Sequence, residues 1–298
     1  IEGPNYVGDF DYGWIFYGDG QLMCYGTYYF HLFSKDGERI KRFPYPVETN
    51  GLWLLDNDPQ MLLSYEAEGE DKLVTFITAP MGPHFKTQDF QDSVQMVYLM
   101  DVNSEKGVPI MHKPENSVYR TLGRYVDRGW PHITSLGEGI FAQIYSIDSV
   151  LYIWNAESNE LVNSIPIPVE HRPEYETIAF GERGEPDRLK INAYIHSTGD
   201  KIILTSVSRI PASVRAELER QPRYRESDAF KEASKKYNKV RSLLFDKDRY
   251  LGPLSFKIGK YEYNRISTKS GFMWFQRRYD DERDYRTFLK VKIVPAEE

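Results

Sequence analysis

The most informative segment of the sequence is LYIWNAESNELVNSIPIP, at Leu151–Pro168. It starts with a run of large apolar residues, passes through the polar residues NAESNE, and ends with a second apolar run that is closed by prolines. Asn, Asp, Gly and Ser favour tight turns, and proline ends a strand because it cannot donate a backbone hydrogen bond. The segment therefore predicts a strand, a turn and a second strand.

The same pattern recurs along the chain. Three further copies are FHLFSKDGERIKRFPYP (Phe30–Pro46), VYLMDVNSEKGVPIMHKP (Val97–Pro114) and SLLFDKDRYLGPLSFKI (Ser242–Ile258). The first strand of each copy ends at an equivalent large residue, namely Phe33, Met100, Trp154 and Phe245. These residues are 67, 54 and 91 residues apart, and the last spacing falls to 58 without the segment Arg209–Arg241. A period of this length, with about four strands in each repeat, is typical of one blade of a β-propeller.

The excluded segment, Arg209–Arg241, has a different character from the rest of the chain. PASVRAELERQ and SDAFKEASKKYNKV are rich in helix formers; Pro211 suits a first helical turn, and Ser227 or Asp228 suits the cap of a second helix. Ten basic and five acidic residues give the segment a charge of +5 and leave −11 on the remainder. We interpret it as a helical insertion, either a solvated excursion between two strands or a basic surface for an acidic partner or phospholipids.

The remainder of the chain predicts an all-β fold of four-stranded antiparallel blades, in a single domain spanning residues 1–298. Without the insertion 265 residues are left, which is between four and five repeats, and a last partial copy covers Phe272–Val294 with YDDERDY as its turn. Five blades are thus visible in the sequence. Because the chain starts at Ile1 rather than Met, we expect a six-bladed ring whose first blade is incomplete or missing; a five-bladed ring is the alternative, and an irregular β-sandwich is the competing fold.

These repeats, the late helical insertion and AFGERGEP (Ala179–Pro186) resemble TolB-like six-bladed β-propellers. More narrowly, they resemble a family of secreted or lipid-anchored propellers of unknown function from Gram-negative anaerobes. FGERGEP is similar to the FGxxGxGPGxF-type connector of related propellers, but it lacks the later glycines. The resemblance covers most of the chain as a pattern. It implies an extracytoplasmic location, in the periplasm or as an outer-membrane lipoprotein with its anchor upstream of Ile1, and it supplies no activity.

Composition excludes several functions. Lys and Arg number 38 against 44 Asp and Glu, so a basic nucleic-acid-binding protein is excluded by bulk charge. No apolar run is long enough for a membrane-spanning helix. The single cysteine, Cys24, rules out an internal disulfide and a cysteine-based zinc site, and no two of the six histidines lie within four residues of each other. We therefore expect no metal and no cofactor, and we expect a monomer.

Catalytic residues are not identified by the sequence. GxSxG, P-loop and GxGxxG motifs are all absent from it. A glycosidase needs two carboxyl groups about 5–10 Å apart, and with 44 acidic residues no spacing selects a pair among Asp9, Asp11, Glu48, Asp127 and Glu182. A carbohydrate hydrolase or lyase that uses axial carboxylates is therefore the alternative function, and a non-catalytic role is preferred.

The preferred prediction is an extracytoplasmic binding or scaffold module that holds a protein, peptide or glycan on one face of the ring. Loops that join one blade to the next converge near the axis of a propeller, and aromatic residues beside Arg and His suit stacking and hydrogen bonding to such ligands. Packing between blades is the competing role for each of these residues. The candidate ligand-binding residues are Arg128, Trp130, His132, His171, Tyr175, Arg183, Tyr261 and Tyr263.

Overall fold

Twenty strands form five antiparallel sheets in the described part of the chain. The computed structural model describes residues 14–25, 29–47, 62–67, 69–77, 86–127, 129–255, 261–267, 271–277 and 287–293, with 261–267 described by the backbone alone. In every sheet the strands follow chain order, so each sheet is a simple meander.

The first two sheets contain four strands each. Sheet 1 consists of β1 (Trp14–Tyr17), β2 (Gln21–Tyr25), β3 (Tyr29–Phe33) and β4 (Arg39–Pro44). Sheet 2 consists of β5 (Leu62–Ala67), β6 (Glu70–Phe76), β7 (Val97–Asp101) and β8 (Lys106–Pro109). Helix α1 (Gln88–Ser93) lies between β6 and β7, and the short helix α2 (Val118–Thr121) follows β8.

The other three sheets vary in strand number. Sheet 3 consists of β9 (Pro131–Gly137), β10 (Ile140–Tyr145), β11 (Val150–Asn155) and β12 (Glu160–Pro166). Sheet 4 consists of β13 (Glu174–Tyr175), β14 (Arg188–Thr198), β15 (Lys201–Ser208), β16 (Val240–Phe245) and β17 (Tyr250–Leu254). Sheet 5 consists of β18 (Tyr261–Ser267), β19 (Phe272–Arg277) and β20 (Phe288–Lys292).

Successive sheets pack side by side in chain order. The contacts run from β1 to β5, from β5 to β9, from β9 to β14 and from β14 to β18, so the leading long strand of each sheet meets that of the next. One apolar cluster lies between each successive pair of sheets. The architecture is therefore a propeller-like all-β fold, as the period of the sequence predicts.

Strand β10 shows how side chains that alternate between its two faces fill the spaces on both sides of a sheet. Phe141 and Tyr145 point to the cluster shared with sheet 2, whereas Ala142 and Ile144 point to the cluster shared with sheet 4. All four side chains are buried. Because side chains alternate between the two faces of a strand, a strand covered on both sides is apolar at most positions. The exception in β10 is Gln143, which is buried and donates a hydrogen bond to the backbone oxygen of Met111 at 3.1 Å. Each large side chain buried in this way contributes about 1.5–3 kcal/mol to stability.

The four repeated segments become equivalent hairpins. Phe33, Met100, Trp154 and Phe245 are buried near the ends of β3, β7, β11 and β16. The next residue in each copy is polar, and its side chain accepts hydrogen bonds from backbone N–H groups two to four residues further on. These turn-forming residues are Ser34, Asp101, Asn155 and Asp246. Each repeat therefore has a polar residue at the same position because that side chain closes the turn of the hairpin.

The predicted helical insertion, Arg209–Arg241, lies between β15 and β16 except for its last two residues, Val240 and Arg241, which begin β16. Helix α3 covers Ala212–Leu218 and helix α4 covers Asp228–Tyr237. Ser227 caps α4, since its hydroxyl accepts a 3.2 Å hydrogen bond from the N–H of Phe230. Pro211 stands directly before α3 rather than inside its first turn. The YDDERDY turn falls outside the described residues.

Candidate functional site

The two ends of the sheets carry very different connections. Because neighbouring strands are antiparallel, the turn after the leading long strand of a sheet and the turn two strands later share one end. Where these turns are described in full they have two to five residues: 18–20, 34–38, 102–105, 138–139, 156–159, 199–200 and 246–249. The other connections whose residues are described lie at the opposite end. We call that end the connector face and define it by residues 86–96, 110–127, 129–130, 146–149, 167–187 and 209–239.

Three connections of this face bind to each other. Tyr125 and Ile178 exchange two backbone hydrogen bonds of 3.0 Å, which joins the segment before β9 to the segment before β14. The N–H of Gly181 donates to the carbonyl oxygen of Lys86 at 3.1 Å. The Lys86 ammonium is 3.2 Å from a carboxylate oxygen of Glu185 and 4.7 Å from the centre of the Tyr125 ring. These loops therefore form one continuous surface.

A buried lysine lies beneath this surface. Lys113 is 4% exposed, and its ammonium donates to the backbone oxygen of Gln91 at 2.8 Å and to the side-chain oxygen of Gln91 at 3.1 Å. The ammonium is also 5.0 Å from the centre of the Tyr119 ring and 5.7 Å from that of Tyr145. Burial lowers the pKa of Lys113 to about 8, although nearby carboxylates oppose the shift. The buried ammonium of Lys113 is thus easier to deprotonate than that of an exposed lysine.

Asp127 connects this region to sheet 4. Its Oδ1 accepts hydrogen bonds from the Tyr119 hydroxyl at 2.5 Å and from the N–H of Gly129 at 2.9 Å. Its Oδ2 is 3.1 Å from a guanidinium nitrogen of Arg188, the first residue of β14. Burial, followed by the charge of Asp127, raises the pKa of Tyr119 well above its usual value. Both carboxylate oxygens are therefore used to position neighbouring elements.

A second buried carboxylate, Asp148, lies in the turn between β10 and β11. It accepts hydrogen bonds from the Ser117 hydroxyl at 2.9 Å, from the N–H of Val118 at 2.8 Å and from the Tyr152 hydroxyl at 3.1 Å. These bonds hold the start of α2 against sheet 3. Desolvation raises the pKa of Asp148 to about 6, despite the hydrogen bonds that favour its ionised form.

A small cavity adjoins Lys113. The space open to the centre of a water molecule is about 10 Å³, which is room for about one water. Its lining consists of Val94, Gln95, Met96, Val97, Met111, Lys113, Gly129, Pro131 and Tyr145. The cavity is too small for a sugar ring or a peptide side chain.

Asp127 and Asp148 are the buried carboxylates of the described chain, and hydrogen bonds occupy both. In the described ranges no group of three or more His, Cys, Asp or Glu side chains is arranged to hold a metal ion. No described helix has the length and apolar character needed to cross a bilayer. The buried polar groups therefore act as the framework of the connector face.

Two of the predicted ligand-binding residues lie at the start of β9. Trp130 is half-buried, and its ring centre is 6.4 Å from that of Phe76, against the cluster between sheets 1 and 2. His132 is 8% exposed, and its ring centre is 6.4 Å from that of Tyr194. Arg128 is outside the described residues. Trp130 and His132 thus have the contacts expected of packing residues.

Three others lie in the connection between sheets 3 and 4. The Nε2 of His171 is 3.2 Å from the Tyr250 hydroxyl. Tyr175 is half-buried against the cluster between sheets 2 and 3, and its backbone is opposite Arg188. Arg183 is exposed. The described contacts of His171 and Tyr175 run to other side chains and do not gather the predicted set into one pocket.

The last two predicted residues, Tyr261 and Tyr263, lie in β18. Their backbones are opposite Arg277 and Phe275 of β19. The description of this strand is limited to its backbone, so the predicted role of both side chains stays a prediction.

Sequence reasoning did not find the framework residues Lys113, Gln91, Ser117 and Asp148. They come from segments up to 57 positions apart, and Lys113 is one of 38 basic residues. Of these four residues, Ser117 has a local sequence signal, because it precedes a short helix and is its N-cap.

The class defined by this geometry is a propeller-like all-β chain with one elaborated face. No family model and no curated protein matches the sequence. Among solved structures, the chain is similar to a member of the DUF4221 family from Bacteroides vulgatus, with a TM-score of 0.55 and 7% identity over 98% of this chain and 81% of that one. Hydrazine synthase from Kuenenia stuttgartiensis gives a TM-score of 0.37 and 10% identity over 92% of this chain and 76% of that one. The likeness to the DUF4221 member supports the fold alone.

Proposed function

We propose that the chain is a non-catalytic binding or scaffold module whose connector face holds a protein, peptide or glycan. The observation that carries this proposal is the contrast between the two ends of the sheets. Tight turns close one end, whereas long connections that bind each other cover the other end. Binding residues in proteins are concentrated on such loops when a rigid scaffold positions them.

The connector face offers polar groups suited to the edges of a ligand. Arg183 is exposed, and the guanidinium of Arg124 donates to the Thr177 hydroxyl at 2.8 Å at the surface. Lys86 and Glu185 form an ion pair beside them. These groups can bind a ligand while the network around Lys113 keeps the loops in place.

A binding role is preferred to catalysis because the buried reactive groups are already engaged. Asp127 and Asp148 accept several hydrogen bonds each, and the cavity at Lys113 has space for about one water. A carbohydrate hydrolase or lyase is the competing prediction.

An array of glycans and peptides probed with labelled protein tests the proposal. We expect Arg124→Ala combined with Arg183→Ala to weaken binding to the hits about tenfold. Lys106→Ala combined with Lys247→Ala, at the end that carries the tight turns, should leave binding unchanged. Equal loss of binding in the two double variants, or the absence of any hit on the array, would count against the proposal. Release of new reducing ends from a glycan hit would instead support the enzyme.

We further propose a six-bladed, TolB-like ring in an extracytoplasmic location. The support is the resemblance of the repeats and of the segment Ala179–Pro186. Cell fractionation of the full-length gene product tests the location, and the number of sheets in its experimental structure tests the blade count.

A further inference from the structure

The helical insertion Arg209–Arg241 concentrates positive charge on the connector face. All ten of its basic residues are exposed. Among the described side chains, a carboxylate oxygen lies within 4.0 Å of Lys231, that of Asp228 at 3.1 Å, and of none of the other nine. The insertion carries +5 and the rest of the chain −11. The described ion pairs thus leave most of the positive charge of the insertion exposed.

Part of this charge forms a row along α4. Lys231 and Lys235 are four residues apart in α4, so they project from the same side of the helix, and Lys239 follows two residues beyond the end of the helix. The Lys239 ammonium donates to the backbone oxygen of Lys235 at 2.5 Å, just beyond the end of the helix. Residues four apart in a helix are separated by about 6 Å along its axis. In an extended peptide, side chains on the same side repeat every 6–7 Å or so, which is close to the axial spacing of Lys231 and Lys235.

A second concentration of charge lies at the base of the insertion. The N–H of Arg209 donates to the carbonyl oxygen of Leu189 at 2.9 Å, which fixes Arg209 beside the start of β14. The guanidinium of Arg215 donates to the carbonyl oxygen of Ile210 at 3.2 Å. Partial desolvation, together with the charges of Arg188 and Arg215, lowers the pKa of Arg209. An anionic group bound here would relieve repulsion between guanidinium groups.

The surface of the two helices favours a polypeptide over a membrane. Helices that lie on bilayers insert large apolar side chains, and α3 and α4 have no large hydrophobic side chain that is exposed. We propose that the insertion docks an acidic polypeptide segment with Asp or Glu at alternate positions, an inference that rests on the proposed binding function. The lysine row holds the alternating carboxylates, and the arginines at the base add positive charge at one end.

Fluorescence anisotropy with short labelled peptides tests this inference. One peptide alternates glutamate and serine, and the other has the same composition with all glutamates in one block. We expect the alternating peptide to bind more tightly, and the affinity to fall as salt is raised. Lys231→Glu, Lys235→Glu and Lys239→Glu together should weaken binding at least about tenfold.

The matched control places the same charge changes on the opposite end, with Lys35→Glu, Lys106→Glu and Lys247→Glu. All six lysines are exposed, and thermal unfolding verifies that both triple variants fold. The control should bind like the wild type. Equal loss in the two variants, no preference for the alternating peptide, no binding, or tighter binding to phosphatidylserine vesicles would each overturn the inference. If array hits still depend on Arg124 and Arg183 while this test fails, the binding function stands and the docking site is wrong.

Discussion

The ammonium of Lys113 donates a 2.8 Å hydrogen bond to the backbone oxygen of Gln91. Lys113 belongs to the connection that leads from sheet 2 to sheet 3, and Gln91 belongs to α1, between two strands of sheet 2. The side-chain amide of Gln91 in turn donates to the backbone oxygen of Asp127 at 3.1 Å. A buried charge thus fixes the loops of the connector face relative to one another.

Lys113→Met should change how stability depends on pH. The pKa of Lys113 is lowered to about 8 in the folded protein, so between pH 8 and about 10.4 the unfolded chain binds more protons, and the contribution of Lys113 to stability rises with pH. Relative to the variant, the wild type should gain on the order of 3 kcal/mol across this range. Chemical denaturation at several pH values measures the difference, and a constant difference would contradict the assignment.

Asp148→Asn should show the opposite trend at acidic pH. The folded-state pKa of Asp148 is raised to about 6, so the folded protein binds more protons than the unfolded chain between about pH 4 and 6, and the contribution of Asp148 to stability falls as pH rises through this window. The wild type should therefore lose on the order of 2–3 kcal/mol relative to the variant between pH 4 and pH 7. Urea unfolding of both proteins at these two pH values tests this, and parallel curves would show that Asp148 titrates normally.

Gly129→Ala should destabilise the protein more than Gly123→Ala does. Both glycines have positive φ, 63° and 64°, so both substitutions carry backbone strain of about 1–2 kcal/mol. A Cβ at Gly129 would lie 3.0 Å from Gln91 Oε1 and from a ring carbon of Tyr119, whereas a Cβ at Gly123 would meet nothing within 4 Å. We expect an additional 1–3 kcal/mol or so at Gly129. Equal unfolding midpoints would mean that the Lys113 site tolerates expansion.

The repeat could be predicted from the sequence because its cause is local. A large residue fills the space between sheets, and the polar residue after it closes the turn through its own side chain, as Asn155 does for Glu157 and Ser158. The Lys113 network could not be predicted in this way. Its hydrogen bonds join residues 22 positions apart at Gln91 and 31 at the Ser117–Asp148 contact, and only the packing of sheets brings those residues together.

The predicted binding residues also differ in whether their environment is local or set by neighbouring sheets. Arg183 is exposed as a ligand contact should be, whereas His132 is buried within its sheet. Sequence alone identifies loops that connect sheets, but burial depends on the neighbouring sheet, which the local sequence does not encode.

Hydrogen–deuterium exchange with and without the strongest array hit tests the central claim most directly. If the connector face is the binding surface, backbone amides in 86–96, 110–127, 167–187 and 209–239 should exchange more slowly when the ligand is bound, while the turns 34–38, 102–105, 156–159 and 246–249 should be unchanged. Protection confined to those tight turns would contradict the account.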